Sequence, residues 1–105
     1  MRIVNLYRYL SKDKNEYVLS KQLLRSGTSI GANIEESIGG QSEKDFFMKL
    51  SIAYKEARET VYWINLLKDT KILTTPEAES LLIDCDELVR IIGKTLSTLR
   101  KKNNY

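Results

Sequence analysis

The sequence has no histidine, one cysteine and one proline among its 105 residues. Without histidine the commonest general base is missing, and so is the usual nitrogen ligand for zinc or di-iron. Metal-binding helix bundles rely on a Glu-x-x-His pair that this chain cannot build. The lone Cys85 excludes an internal disulfide and suits a reducing compartment, so a cytoplasmic protein is expected. Long apolar runs are missing too. No stretch approaches the roughly 18–20 residues of a membrane span, and the amphipathic opening Met1–Leu6 does not read as a secretory signal. The glycines of Ser26–Gly31 lack the Gly-Lys-Ser/Thr ending of a phosphate loop, and no base is available to activate the serines. We expect neither an enzyme nor a cofactor.

What remains is a helical sequence. Hydrophobic residues make up 42% and charged residues 30%, with only five glycines. That balance suits one domain of long helices, residues 1–105, with fraying at the last few residues. Apolar spacing marks four helices, at about residues 2–11, 15–38, 42–69 and 76–101. Asp13 and Glu16 resemble a capping box for the second helix, and Gly39-Gly40 a left-handed stop. Ser42 reads as the third N-cap and Thr75-Pro76-Glu77 as the fourth start. No segment alternates with period two. The expected fold is an all-α, up-and-down antiparallel bundle.

Two helices carry more than a bundle needs. The third has one apolar stripe through Phe46, Leu50, Ala53, Ala57, Val61 and Ile64, and a second through Phe47, Tyr54, Tyr62, Trp63 and Leu66. A surface helix needs one, and aromatic surplus is typical of interfaces. The second helix reads Arg25-Ser26-Gly27-Thr28-Ser29-Ile30-Gly31-Ala32-Asn33-Ile34. These small polar residues are poor helix formers, so a tertiary contact must compensate for them. Gly27, Gly31 and Asn33 are therefore candidate packing or interface positions, with hydrogen bonds expected across the contact; a bend at Gly27-Thr28 is the competing account. Glu35 and Glu36 read as ion-pair partners for Arg25, Lys55 or Arg58. Cys85 reads as core.

Charge is unevenly placed. Residues 1–25 carry six basic and two acidic side chains, residues 26–89 six and twelve, and residues 90–105 five and none. The first and last helices of such a bundle are usually neighbours, so the two basic segments are expected to share a face. Arg2, Arg8, Lys12, Lys14, Lys21, Arg90, Lys94, Arg100, Lys101 and Lys102 are the candidate phosphate contacts, with Tyr7, Tyr9 and Tyr17 for stacking.

The stretch Tyr17–Ser37, YVLSKQLLRSGTSIGANIEES, with Gln41–Phe46, Leu50–Thr60 and Tyr62-Trp63, resembles the bacterial four helix bundle proteins. These are the 23S rRNA-intervening sequence proteins, encoded in intervening sequences of ribosomal RNA genes or elsewhere in bacterial genomes. The twelve residues from Arg25 to Glu36 are the most specific part. Members usually carry more residues ahead of Arg2-Ile3-Val4. The resemblance implies a bundle assembled as a ring-shaped homopentamer. It extends distantly to the accessory variability proteins of diversity-generating retroelements, which are pentameric and bind nucleic acid and a reverse transcriptase. The expected partners are other copies of the chain and RNA or DNA. The alternative is a scaffold whose ring recruits another protein.

Overall fold

The computed structural model describes residues 2–105. Among them are four α-helices and no strands: α1 (Arg2–Arg8), α2 (Val18–Ile38), α3 (Glu43–Asp69) and α4 (Thr75–Asn103). A π-helical turn, Tyr9–Asp13, prolongs α1. Short connections fold α2, α3 and α4 back on one another, with α3 packed against both others, in a body 46 Å long.

The helix ends follow local chemistry. Asn15 turns the chain with a left-handed φ of 52°. The Glu16 carboxylate then accepts hydrogen bonds from the Val18, Leu19 and Ser20 amides (2.8–3.1 Å). Glu16 thus caps α2 alone, without Asp13, and the helix starts at Val18 rather than near residue 15. Gly39 closes α2 at φ −80°, so the expected left-handed glycine is absent. Gly40 answers to space instead, because a Cβ there would lie 3.2 Å from the Asp45 Cβ and the Ser37 carbonyl. Ser42 accepts from the Asp45 amide and caps α3. The C-terminus does not fray early. Asn104 ends α4 in the left-handed conformation, and the Tyr105 ring lies 4.8 Å from that of Phe47.

The N-cap of α4 is Thr74, one residue ahead of the expected Thr75. Its hydroxyl accepts from the Glu77 amide and the Glu77 carboxylate accepts from the Thr74 amide, a reciprocal box. The bonds from the Thr74 backbone and side chain hold the Glu77 carboxyl below its ordinary range. A depressed carboxyl stabilises the fold above its unfolded pKa and loses that contribution as pH falls through the folded value. Thr74→Ala should therefore cost about 1 kcal/mol at neutral pH. In urea titrations at about pH 3, where carboxyls take up protons, the deficit should shrink.

The core is divided lengthwise. At one end, Leu6 and Leu10 join Leu23, Ile64, Leu67, Leu73 and Leu82 in a buried cluster to which every helix contributes. At the other, Leu50, Ala53, Ile92 and Leu96 are flanked by Ile34, Phe46 and Leu88. Among the described residues only α2, α3 and α4 build that second end, and Arg2 of α1 lies beside Ser80 and Asp84 of α4.

Candidate functional site

The small-residue run of α2 resolves into several separate contacts. Arg25 bridges to α3, pairing with Glu56 (3.2 Å) and Glu59, and the Trp63 indole donates to Glu59 (3.2 Å). The Ser26 and Thr60 hydroxyls, both buried, share a 2.9 Å hydrogen bond between α2 and α3. Gly27 admits α1: a Cβ there would lie 2.6 Å from Cγ2 of Ile3. The remaining polar groups do not cross between helices as expected. Thr28 donates to the Leu24 carbonyl, and the Asn33 amide donates to the carbonyl and hydroxyl of Ser29, all within α2. At Gly31 an added Cβ would meet no atom within 4 Å. Glu36 pairs with Lys49 (2.9 Å) rather than with Lys55 or Arg58; Arg58 lies over the Tyr54 ring, beside Asp86 and Val89 of α4.

Gly31 lies on an open groove of about 260 Å³ between α2 and α4, with Ile3 at the start of α1 at one end. Gly27, Ile34 and Leu88 line its sides, and Thr60, on the inner face of α3, its floor. Cys85 is half-buried there and packs against the buried cluster from its edge. Burial pushes its thiol pKa up, and Asp86 and Asp84 add to that, so it stays protonated and weakly nucleophilic.

Of the aromatic surplus on α3, Tyr54 is accommodated within the subunit, against Gly93 of α4. Phe47 is likewise covered, by Tyr105 and Arg100. Tyr62 remains 59% exposed, edge-on to a half-buried Trp63, and Leu66 is half-buried one turn on. Met48 and Ile52, which the stripes drawn from the sequence omit, are exposed on the same outer face. Their signal was present, since mixed steps of four and three from Met48 through Ile52 and Lys55 lead to Glu59, Trp63 and Leu66.

The basic residues do not form one face. Lys14 lies beside Glu77 in the first turn of α4, with Arg8, Lys12 and Lys21 on the neighbouring parts of α1, the π turn and α2. Arg100–Lys102 follow some 23 residues later, roughly 35 Å along the helix axis. The adjacency of first and last helices holds, but α1 meets only the N-terminal half of α4. Two candidates are also engaged: Arg2 pairs with Asp84, and Lys102 with Glu43 (3.6 Å). Arg100 lies over the Phe47 ring. Arg90, Lys94 and Lys101 form no ion pair among the described residues, are exposed, and fall within about 40° of one another on the outer face of α4. At the other end the structure adds Lys71, which shares a hollow with Lys14 and Tyr17. It lies in the α3–α4 turn, where no periodicity could mark it.

Residues 1–94 match the family described as the 23S rRNA-intervening sequence protein. The chain belongs to the 23S rRNA-intervening sequence protein family. A crystal structure of a protein of unknown function from the S23 ribosomal protein family of Bacteroides thetaiotaomicron is 49% identical. The alignment covers 91% of this chain and 86% of that one, with a TM-score of 0.89. No curated protein matches the chain. Within this intervening-sequence family member, no described helix is long and apolar enough to cross a membrane. No cluster of three or more metal-ligating residues occurs among the described residues.

Proposed function

We propose that this chain is a non-enzymatic, self-associating four-helix bundle that binds the phosphate backbone of RNA or DNA through the C-terminal half of α4. The observation that carries this reading is the separation of charge along α4. Residues 77–87 hold Glu77, Glu79, Asp84, Asp86 and Glu87 with no basic residue, and residues 90–105 hold five basic residues and no acid. Arg90, Lys94 and Lys101 span roughly 16 Å on one outward line. Lys94 and Lys101 have no acid within a turn of α4, and Arg90, one turn after Asp86 and Glu87, forms no ion pair with either among the described residues, so the stripe presents a net positive field to a polyanion. One subunit offers few contacts. Several copies in a ring, five by the resemblance, would bind one strand by avidity. The family's name, tied to a sequence within 23S rRNA, supports a nucleic-acid ligand.

The test is a salt titration of binding to a labelled single-stranded RNA. Replacing Arg90, Lys94 and Lys101 together by Gln should weaken binding and flatten the slope of log K against log salt. Each phosphate left without its cation lowers the magnitude of that slope by about 0.7, so a change of roughly two is expected. Unchanged affinity and slope in a variant of unchanged mass would overturn the reading and favour the protein scaffold.

A further inference from the structure

We infer that the hollow between the α1–α2 and α3–α4 connections binds one unpaired nucleotide of a single-stranded RNA, its base stacked on Tyr17 and its phosphate held by Lys14 and Lys71. The ligand rests on the nucleic-acid reading above. The place is a second one, at the other end of the bundle from the basic stripe of α4. Its volume of about 360 Å³ falls in the range of small-ligand sites.

The lining combines an aromatic face, aliphatic borders and two cations. Tyr17 is 54% exposed, and its hydroxyl donates to Oδ1 of Asn15 (3.2 Å), which ties the ring to the neighbouring turn. Exposed Val18 and half-buried Ile72 border it. A ring with apolar borders is a platform on which any base can stack. Lys14 and Lys71 are exposed, and neither forms an ion pair among the described residues. Glu16, which lines the hollow, and Glu77, beside Lys14, have carboxylates bonded to backbone amides at the starts of α2 and α4. Bases of a duplex lie stacked inside it, so only an unpaired base can reach a ring in such a hollow.

Lys71 departs from what its turn favours. It stands at φ 64°, where its amide donates to the Lys68 carbonyl and the Ile72 amide to the Leu67 carbonyl (both 3.0 Å). That pair of bonds is a common helix stop, and glycine is the residue that takes its left-handed backbone without strain. Among the described residues the Lys71 side chain makes neither a hydrogen bond nor an ion pair that would offset the strain. What it adds is a cation at the edge of the hollow. Departures of this kind concentrate at functional positions.

Two single substitutions test this with a short labelled single-stranded RNA and a duplex of the same length. Tyr17→Ala should weaken binding of the single strand by about fivefold or more, the weak end of base–aromatic stacking, and leave the slope of log K against log salt unchanged. Tyr17→Phe, which keeps the ring, should bind as the unaltered chain does, and duplex binding should be indifferent to either change. Lys71→Gly should lower the magnitude of the single-strand slope by about 0.7, one phosphate contact, while its thermal midpoint holds or rises. Should Tyr17→Ala lose helicity, Tyr17→Leu takes its place. A single-strand affinity that Tyr17→Ala leaves unchanged, or lowers no more than that of the duplex, would overturn the stacking site and leave the α4 stripe standing. A lower thermal midpoint in Lys71→Gly with an unchanged slope would overturn the phosphate contact, since the lysine would then serve the turn. An unaltered chain that fails to bind the single strand would overturn this site, and failure with the duplex as well would overturn the nucleic-acid reading with it.

Discussion

Replacing Leu10 by alanine should destabilise this protein by about 2–5 kcal/mol, the range for truncating a fully buried leucine. Leu10 is 0% exposed and sits in the π turn that prolongs α1. Together with Leu6 it ties the shortest helix to the cluster formed by Leu23, Ile64, Leu67, Leu73 and Leu82. The other fastenings of α1 are weaker. The ion pair of Arg2 with Asp84 joins two half-exposed side chains, and exposed pairs contribute little. The hydrogen bond of Ser11 is to the Tyr7 carbonyl within its own segment. Removing the leucine side chain therefore leaves a cavity and loosens α1 from the rest of the bundle. For a domain of this size the thermal midpoint should fall by roughly 10–30 °C, measured at fixed protein concentration. A loss below about 1 kcal/mol in urea would mean that the pocket collapses around alanine, and that α1 is held by something other than this contact.

The two glycines of α2, four residues apart, should respond in opposite directions to alanine. Both substitutions gain helix propensity, worth up to about 1 kcal/mol. At Gly31 nothing opposes that gain, because no atom lies within contact distance of the added Cβ, so Gly31→Ala should raise subunit stability. At Gly27 the added carbon would meet Ile3 at 2.6, 2.9 and 3.2 Å from three of its atoms. The clash includes the Ile3 Cβ, so a side-chain rotation alone cannot relieve it and α1 must move. Overpacking of this kind costs about 1–3 kcal/mol, and Gly27→Ala should be net destabilising. Trimming Ile3 to alanine in the same chain should recover much of the loss, which a double-mutant cycle measures directly. Equal effects at the two positions would show that neither glycine is there for the approach of α1.

The same pair of glycines marks how far the sequence could be read. Their spacing on one side of α2 was legible, as was the need for a neighbour to offset their poor helix propensity. Which neighbour each one meets was not. Spacing fixes a side of a helix, whereas a contact depends on how far the facing element extends. Ile3 of α1 lies over Gly27, whereas none of the described residues comes within 4 Å of a Cβ at Gly31. The aromatic stripes of α3 divide in the same way. Tyr54 and Tyr62 are two of one set by spacing, yet Gly93 on α4 makes room for the first and nothing in the subunit covers the second.

By itself, the sequence determined the helical class, the approximate extent of each long helix and the charge carried by each segment. Those properties follow from period, capping chemistry and composition, which are local along the chain. Only the tertiary structure decided that the basic segments at the two chain ends lie far apart, that Arg2 and Lys102 are paired, and that Gly27 meets Ile3 while Tyr54 meets Gly93. Each of these depends on helix length and antiparallel packing, which place residues distant in sequence side by side and separate others that composition alone would group together.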